Sequence, residues 1–178
     1  MLYYKMPTET GLMVDSIKVS MSIAKWEGYV RQQAHSHNGT RRFFEDENTE
    51  DIIGVTAEIA FGKWSGLEPD LEVRPNGDGC KDFLIKVNGR KISIDIKAAR
   101  KAFNLLLKQK DGLRSADILV LAKVDGDLVS FLGWEHKSMM LVSPVKDFGY
   151  GILNHYRSKD DLRPMRQLLD LIKRRENQ

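Results

Sequence analysis

Apolar residues recur at every second position on both sides of the dipeptide Asn88-Gly89. They are Phe83, Ile85, Val87, Ile92, Ile94 and Ile96. Asn-Gly is a preferred two-residue loop of β-hairpins, because both of its positions must accept positive φ. Side chains alternate between the two faces of a strand, so all six apolar residues fall on one face. The pattern therefore predicts a hairpin whose apolar face lies against the core.

A second hairpin is predicted around Asp125-Gly126, between the runs 118–121 and 129–132. The first run is almost wholly apolar, which is typical of a central strand buried on both faces. The link between the two hairpins contains three consecutive leucines at 105–107. For this segment the sequence leaves a short helix and a loop open.

Three helices are predicted around the hairpins. Residues 16–35 mix apolar and polar positions without proline, which indicates a helix of modest amphipathicity. A second helix can be capped by Asn48 or Thr49 and run to about Trp64. A terminal helix is expected from Ser158 onward, where apolar residues return at helical spacing behind a capping-box pattern.

The order helix, helix, hairpin, link, hairpin, helix favours an α/β fold. We expect a mixed central β-sheet built from two hairpins and flanked by helices. The length of 178 residues fits one domain. Within 1–178, the pattern divides the chain into an N-terminal helical part (1–47), a core (48–134) and a C-terminal helical part (135–178).

Composition narrows the functional classes. The chain has 28 Lys and Arg against 25 Asp and Glu, and this net charge of +3 is too small to indicate a polyanionic partner. A single cysteine excludes an internal disulfide and a multi-cysteine zinc site. No apolar run approaches about 18 residues and no secretory signal is recognisable, so we expect a cytoplasmic protein without a membrane partner.

The predicted hairpin brings two acids together. Its register places Asp82 opposite Asp95, on the face away from the core, and Lys97 follows on that same face. Directly opposed like charges are destabilising unless something compensates them. Mg²⁺ does so well, with Mn²⁺ expected to substitute, because it takes carboxylate oxygens and leaves positions for substrate phosphate. Glu58 can add a carboxylate from the preceding helix, so the set suits metal-assisted hydrolysis of a phosphodiester.

These residues resemble the PD-(D/E)xK nuclease superfamily over about residues 50–134. The resemblance consists of Glu58 on a helix, Asp82 opening a hairpin, and the Asp-x-Lys of its second arm, Asp95-Ile96-Lys97. It implies a restriction-endonuclease-like core acting on DNA. By the same resemblance Asp82 and Asp95 bind metal, Lys97 is the catalytic lysine, and Glu58 is an accessory ligand or orients water.

The first aspartate of the motif has rivals. Lys81 stands where the motif has proline. A literal Pro69-Asp70 occurs upstream, and Asp78 lies in the predicted loop 75–79. Asp82 is preferred because only its position is set opposite Asp95 by the turn.

The sequence thus predicts a Mg²⁺-dependent nuclease that hydrolyses phosphodiester bonds in DNA. Six basic residues are expected to contact backbone phosphates in a groove beside the acids: Lys91, Arg100, Lys101, Lys108, Lys110 and Arg114. A homodimer would supply the two sites needed to cut both strands. The alternatives are a non-catalytic nucleic-acid-binding or assembly module that keeps the nuclease fold, and a hydrolase of small phosphoesters.

Overall fold

The structure is a computed structural model, and it describes residues 4–7, 13–19, 49–68, 81–149 and 151–174. The strands are β1 (Tyr4–Pro7), β2 (Met13–Lys18), β3 (Phe83–Val87), β4 (Arg90–Ala99), β5 (Asn104–Lys108), β6 (Ile118–Asp125), β7 (Leu128–His136), β8 (Val145–Asp147) and β9 (Leu153–Ser158). The helices of this part are α1 (Thr49–Ser65), α2 (Lys137–Leu141) and α3 (Met165–Lys173), and two 3-10 turns span Gln109–Asp111 and Lys159–Asp161.

The described strands form two sheets. The central sheet has six strands in the order β1-β2-β7-β6-β4-β3, and the second sheet has three in the order β5-β9-β8. Strands β4 and β6 are parallel, while all other neighbours are antiparallel. The fold is therefore mixed α/β, and the expected mixed central sheet with two hairpins is confirmed, although β1 and β2 extend it beyond the two hairpins from which it was expected to be built.

The first hairpin has the predicted turn and register. Asn88 and Gly89 have φ of 50° and 76°, as a tight two-residue turn requires. Val87 lies opposite Arg90, and the ladder continues in step to Phe83 opposite Ile94. Strand β3 alternates buried and exposed residues, whereas β4 is buried on both faces in its middle because it lies between β3 and β6.

Strand β6 is the buried central strand that the sequence predicts. It lies between β4 and β7, and residues 118–122 are all buried. Its turn is Gly126-Asp127, one residue later than expected, because Asp125 still pairs with Leu128. Helix α1 ends as expected, at Ser65, and Gly66 follows with φ of +72°.

Two cores lie on opposite faces of β4 and β6. The larger core contains side chains of α1, α3 and the central sheet, among them Val55, Phe61, Trp64, Ile94, Ile96, Val120, Phe131 and Leu168. The smaller core joins the two sheets and consists of Ala102, Leu105, Leu107, Leu119, Leu121 and Met140. Strand β6 contributes to both cores by alternation, since its even-numbered residues face the larger one.

Two predicted elements near the ends differ in the structure. Met13–Lys18 is strand β2, paired with β7, so the predicted helix 16–35 is wrong at its start. Residues 20–35 lie outside the described part of the chain. The terminal helix begins at Met165 rather than near Ser158. A helix that started near Ser158 would contain Pro164 in its interior, where the missing N–H would break a backbone hydrogen bond, so Pro164 instead precedes the first turn.

The leucine run is neither helix nor loop. It forms strand β5, whose partner is β9, with residues 105 and 107 buried and 106 half-buried. Two parts of the chain that were expected to be helical also contain strands. The N-terminal part, 1–47, contains β1 and β2, and the C-terminal part, 135–178, contains β8 and β9. Within the described ranges, none of the helices combines the length and hydrophobicity needed to cross a membrane.

Candidate functional site

Asp82 lies at the open end of the first hairpin, directly before β3. Its backbone N–H donates to the carbonyl of Ile94 at 2.9 Å, and its Oδ2 accepts the backbone N–H of Ile96 at 2.6 Å. The regular ladder ends at Phe83, and Asp82 bends to bond the residues on either side of Asp95. The predicted proximity of Asp82 and Asp95 is therefore present, although Asp82 does not extend the ladder as a regular pair.

Asp95 and Lys97 form an ion pair on β4. Lys97 Nζ lies 2.5 Å from Asp95 Oδ2. Asp95 is only 4% exposed and Asp82 6%, whereas the Lys97 side chain is 37% exposed. The two carboxylates thus lie deep in the fold, and the lysine extends from them toward solvent.

The position of this pair follows from the parallel pairing of β4 with β6. Asp95 lies beside Leu119 and Lys97 beside Leu121, and both leucines belong to the smaller core. Burying a carboxylate costs several kcal/mol unless it is paired and hydrogen-bonded. The contact with Lys97 offsets part of this cost for Asp95, and the backbone N–H of Ile96 does the same for Asp82.

Glu58 is contributed by helix α1 and not by the hairpin. It is buried on α1, and a Cβ built on Gly54 would lie 4.0 Å from its Oε1, so the carboxylate lies along the preceding turn of its own helix. Helix α1 packs into the larger core, on the face of β4 opposite to Asp95. The described part of the chain contains no group of three or more Asp, Glu, His or Cys side chains able to hold a metal ion.

The structure therefore brings together Asp82, Asp95 and Lys97, and it does not place Glu58 in one three-carboxylate cluster with them. Glu58 as a metal ligand stays a prediction. The rival aspartates Asp70 and Asp78 lie outside the described residues.

The six basic residues do not share one end of the site. Arg100 and Lys101 directly follow β4, whereas Lys91 lies at the start of β4 beside the hairpin turn. The remaining three lie between the end of β5 and the start of β6: Lys108, Lys110 and Arg114. Because β4 and β6 are parallel, the carboxyl end of β4 is distant from the amino end of β6. Only Arg100 and Lys101 of the six line the cleft described next. Contact of all six with DNA phosphates stays a prediction.

Arg100 and Lys101 line a cleft of about 820 Å³ at the carboxyl ends of β4 and β6. The cleft also takes in Lys123 and Lys159, which sequence reasoning missed. Lys123 lies opposite Ala99 on β4, and Lys159 comes from the turn after β9. Alternation along β6 could have placed Lys123 if its parallel pairing with β4 had been known.

A hydrogen-bonded clamp joins β4 to the start of β6. The Oδ2 atom of Asp117 accepts both the backbone N–H and the hydroxyl of Ser93, at 2.9 and 2.8 Å, while Ser93 Oγ accepts the N–H of Asp117 at 3.1 Å. Partial burial would raise the pKa of Asp117, but the two bonds from Ser93 and the charges of Lys137 and Lys81 outweigh it and lower this pKa. The clamp fixes the strand register in which Asp95 stands.

A further buried acid, Glu135, was not anticipated from the sequence. Glu135 on β7 is 1% exposed and pairs with the guanidinium groups of Arg157 and Arg163. Its Oε1 accepts the backbone N–H of His136 at 2.8 Å and lies 3.0 Å from Arg163 Nε. These contacts join the central sheet to β9 and to the segment before α3, so this cluster is a structural link.

The candidate site is thus the cluster of Asp82, Asp95 and Lys97, with the basic cleft next to it on β4. Comparison of the chain with protein-family models and with curated proteins, and of its structure with solved structures, found no match.

Proposed function

We propose that the protein is a metal-dependent nuclease that hydrolyses phosphodiester bonds in DNA, with a restriction-endonuclease-like core of the PD-(D/E)xK type. The observation that carries this proposal is the cluster at the open end of the first hairpin, where Asp82 flanks Asp95 and Lys97 Nζ lies 2.5 Å from Asp95 Oδ2. The fold offers further support, because the β3–β4 hairpin is followed by a crossover to the parallel strand β6, with α1 packed on one face.

The donor set suits Mg²⁺. Asp82 and Asp95 present only hard oxygen donors, and Mg²⁺ is commonly bound through one or two carboxylates together with water and substrate phosphate. We infer that these two residues would hold the ion, with Mn²⁺ as a substitute. Bound there, the ion would polarise a phosphoryl oxygen and lower the pKa of a water molecule.

The side chains have separate roles in this proposal. Asp82 is held by the Ile96 N–H, so its carboxylate is fixed before substrate arrives. Lys97 reaches from Asp95 toward solvent, where its ammonium can position the attacking water, exchange a proton with it, or stabilise negative charge on the phosphoryl oxygens. Glu58 would act from α1 as an accessory group.

A second candidate is a non-catalytic nucleic-acid-binding or assembly module with the same fold. The observation that favours it is that both acids are buried and already bonded. Asp95 contacts Lys97 directly, and Asp82 accepts a backbone N–H. Buried polar clusters of this kind can serve to fix one strand register without any turnover.

The deciding experiment is cleavage of supercoiled plasmid and of single-stranded circular DNA in EDTA, Mg²⁺ or Mn²⁺. We expect the wild type to cut only with metal, and Asp95→Asn and Lys97→Ala to lose at least about 100-fold in rate. Lys86→Ala is the matched control, because Lys86 is an exposed lysine on the same hairpin. Thermal melting of each variant separates loss of activity from loss of fold.

Two results would contradict the proposal. One is metal-dependent cleavage by Asp95→Asn at the wild-type rate. The other is a wild type that cuts neither substrate with either metal; if it also binds DNA equally well in EDTA, the non-catalytic module is favoured.

A further inference from the structure

The cleft at the carboxyl ends of β4 and β6 is strongly basic. Its charged lining consists of Arg100, Lys101, Lys123, Lys159 and Asp125. Asp125 lies 3.8 Å from Lys123 and offsets that one cation. Within the described ranges, no carboxylate lies within ion-pair distance of Arg100, Lys101 or Lys159, so the cleft has a net positive charge.

The cleft adjoins the candidate catalytic cluster on the same side of the sheet. Lys97 stands beside Leu121, and the next pair on that face is Ala99 with Lys123. Two residues of a strand span about 7 Å, which is close to the spacing of successive phosphates in a nucleic acid strand. A strand whose scissile phosphate lies at Lys97 can therefore continue directly into the cleft.

Phe103 gives the cleft an aromatic wall. Phe103 is 64% exposed and lines the cleft. Its backbone is nevertheless fixed, because its carbonyl accepts the N–H of Lys159 at 2.9 Å. An exposed ring among cations is the combination found in sites for single-stranded nucleic acid, where bases stack on aromatic faces. A paired base inside a duplex is already stacked on both faces, so only an unpaired base can use this ring.

We propose that this cleft binds an unpaired segment of DNA leading to the Asp95–Lys97 cluster, with the cations on its phosphates and Phe103 stacked on a base. That the bound strand is the substrate rests on the proposed nuclease function. The binding itself requires neither metal nor turnover, so it can be tested separately.

The test is fluorescence anisotropy in EDTA with a labelled oligothymidylate of about 15 nucleotides and a duplex of the same length. We expect tighter binding of the single strand. Phe103→Ala should weaken that binding on the order of 10-fold and leave duplex binding unchanged. Leu113→Ala, a truncation of an exposed leucine outside the cleft, is the matched control and should bind as the wild type does.

The salt dependence of oligothymidylate binding tests whether the basic residues of the cleft contact phosphates. Each lost phosphate contact should reduce the slope of log affinity against log salt by about 0.7 for a single strand. Arg100→Ala and Lys101→Ala should each show this reduction, and Lys86→Ala should not. Phe103→Leu retains apolar bulk without an aromatic face, so its affinity should fall nearly as far as that of Phe103→Ala if stacking is responsible.

The proposal is overturned if the wild type does not bind the oligothymidylate, if it binds the duplex at least as tightly, or if Phe103→Ala and Leu113→Ala behave alike. Failure of the catalytic proposal looks different. In that case Asp95→Asn keeps cleaving while the cleft variants still lose binding. If instead Asp95→Asn abolishes cleavage and the cleft variants bind normally, only the cleft proposal fails.

Discussion

Two buried acids of this protein have opposite surroundings. Glu135 lies between two arginine guanidinium groups, and its Oε1 also accepts a backbone N–H. Asp95 contacts one lysine and has a second acid, Asp82, bonded to the residues on either side of it. Both carboxylates are almost fully buried, so burial alone does not distinguish a structural acid from a candidate functional one.

The difference lies in the charges that accompany each acid. Around Glu135 the positive groups outnumber the negative one, and they connect β7 to β9 and to the segment before α3. This excess of positive charge disfavours the binding of a divalent cation at Glu135. The Asp82–Asp95 cluster combines two acids with a lysine that extends toward solvent, which suits an added cation and a phosphate. We therefore interpret the first as a structural link and keep the second as the proposed reactive site.

The largest effect on stability is expected from Glu135→Gln. This change keeps the side-chain shape but removes the buried charge that two guanidinium groups share. Each such charged hydrogen bond contributes about 1.5–3 kcal/mol, and water can replace part of it at these half-exposed arginines, so we expect a loss of about 2–4 kcal/mol. Urea unfolding monitored by circular dichroism measures it. The matched control is Glu68→Gln, since Glu68 is exposed just beyond α1. If the two variants are equally stable, Glu135 is not a structural link.

Asp95→Asn should change stability far less. It removes one of two neighbouring acids, and the Lys97 ammonium it leaves behind can turn to water because that side chain is 37% exposed. Removing one of two neighbouring acids also relieves their mutual repulsion. We therefore expect a smaller loss in the free energy of unfolding than for Glu135→Gln, together with the loss of cleavage described above. A loss as large as that of Glu135→Gln would mean that Asp95 and Lys97 are a structural pair, and the contrast between the two regions would disappear.

The elements predicted correctly are those with a local signal. The turn at Asn88-Gly89 fixes the register of β3 with β4, and counting outward from it was enough to bring Asp82 near Asp95 and Lys97. The side-chain bond by which Asp82 leaves the ladder could not be predicted, because it depends on where the chain bends before β3.

What the sequence did not reveal depends on contacts between distant segments. Strand β5 shows no alternation of apolar and polar residues, because the half-buried Leu106 is as apolar as the buried leucines on either side of it. The partner of β5 is β9, which follows much later in the chain. The partners of Glu135, Arg157 and Arg163, lie on other elements. The basic cleft likewise needs the parallel pairing of β4 with β6, which no local pattern specifies.

A smaller effect is expected at the Ser93–Asp117 clamp, which positions β4 for the Asp95 cluster. Ser93→Ala removes the hydroxyl bonds to the carboxylate and from the N–H of Asp117, while the backbone bond from Ser93 remains. Asp117 is half-exposed, so water can replace part of what is lost, and we expect a cost of about 1 kcal/mol in urea unfolding. Ser138→Ala on the exposed side of α2 is the control. An unchanged unfolding curve for Ser93→Ala would show that the clamp does not stabilise this register.

The smallest effect is the pH dependence of the same clamp. The fold lowers the pKa of Asp117 from its ordinary value of 3.8, so the folded state prefers the ionised carboxylate. Its contribution is complete above the unfolded pKa and is lost as pH falls through the lower, folded pKa. The stability difference between wild type and Asp117→Asn should therefore stay constant from neutral pH down to about pH 5 and shrink below pH 3.8. Urea unfolding of both proteins along this pH series measures the difference. A difference that grows on acidification would contradict the lowered pKa and, with it, the role of Ser93 in holding the ionised group.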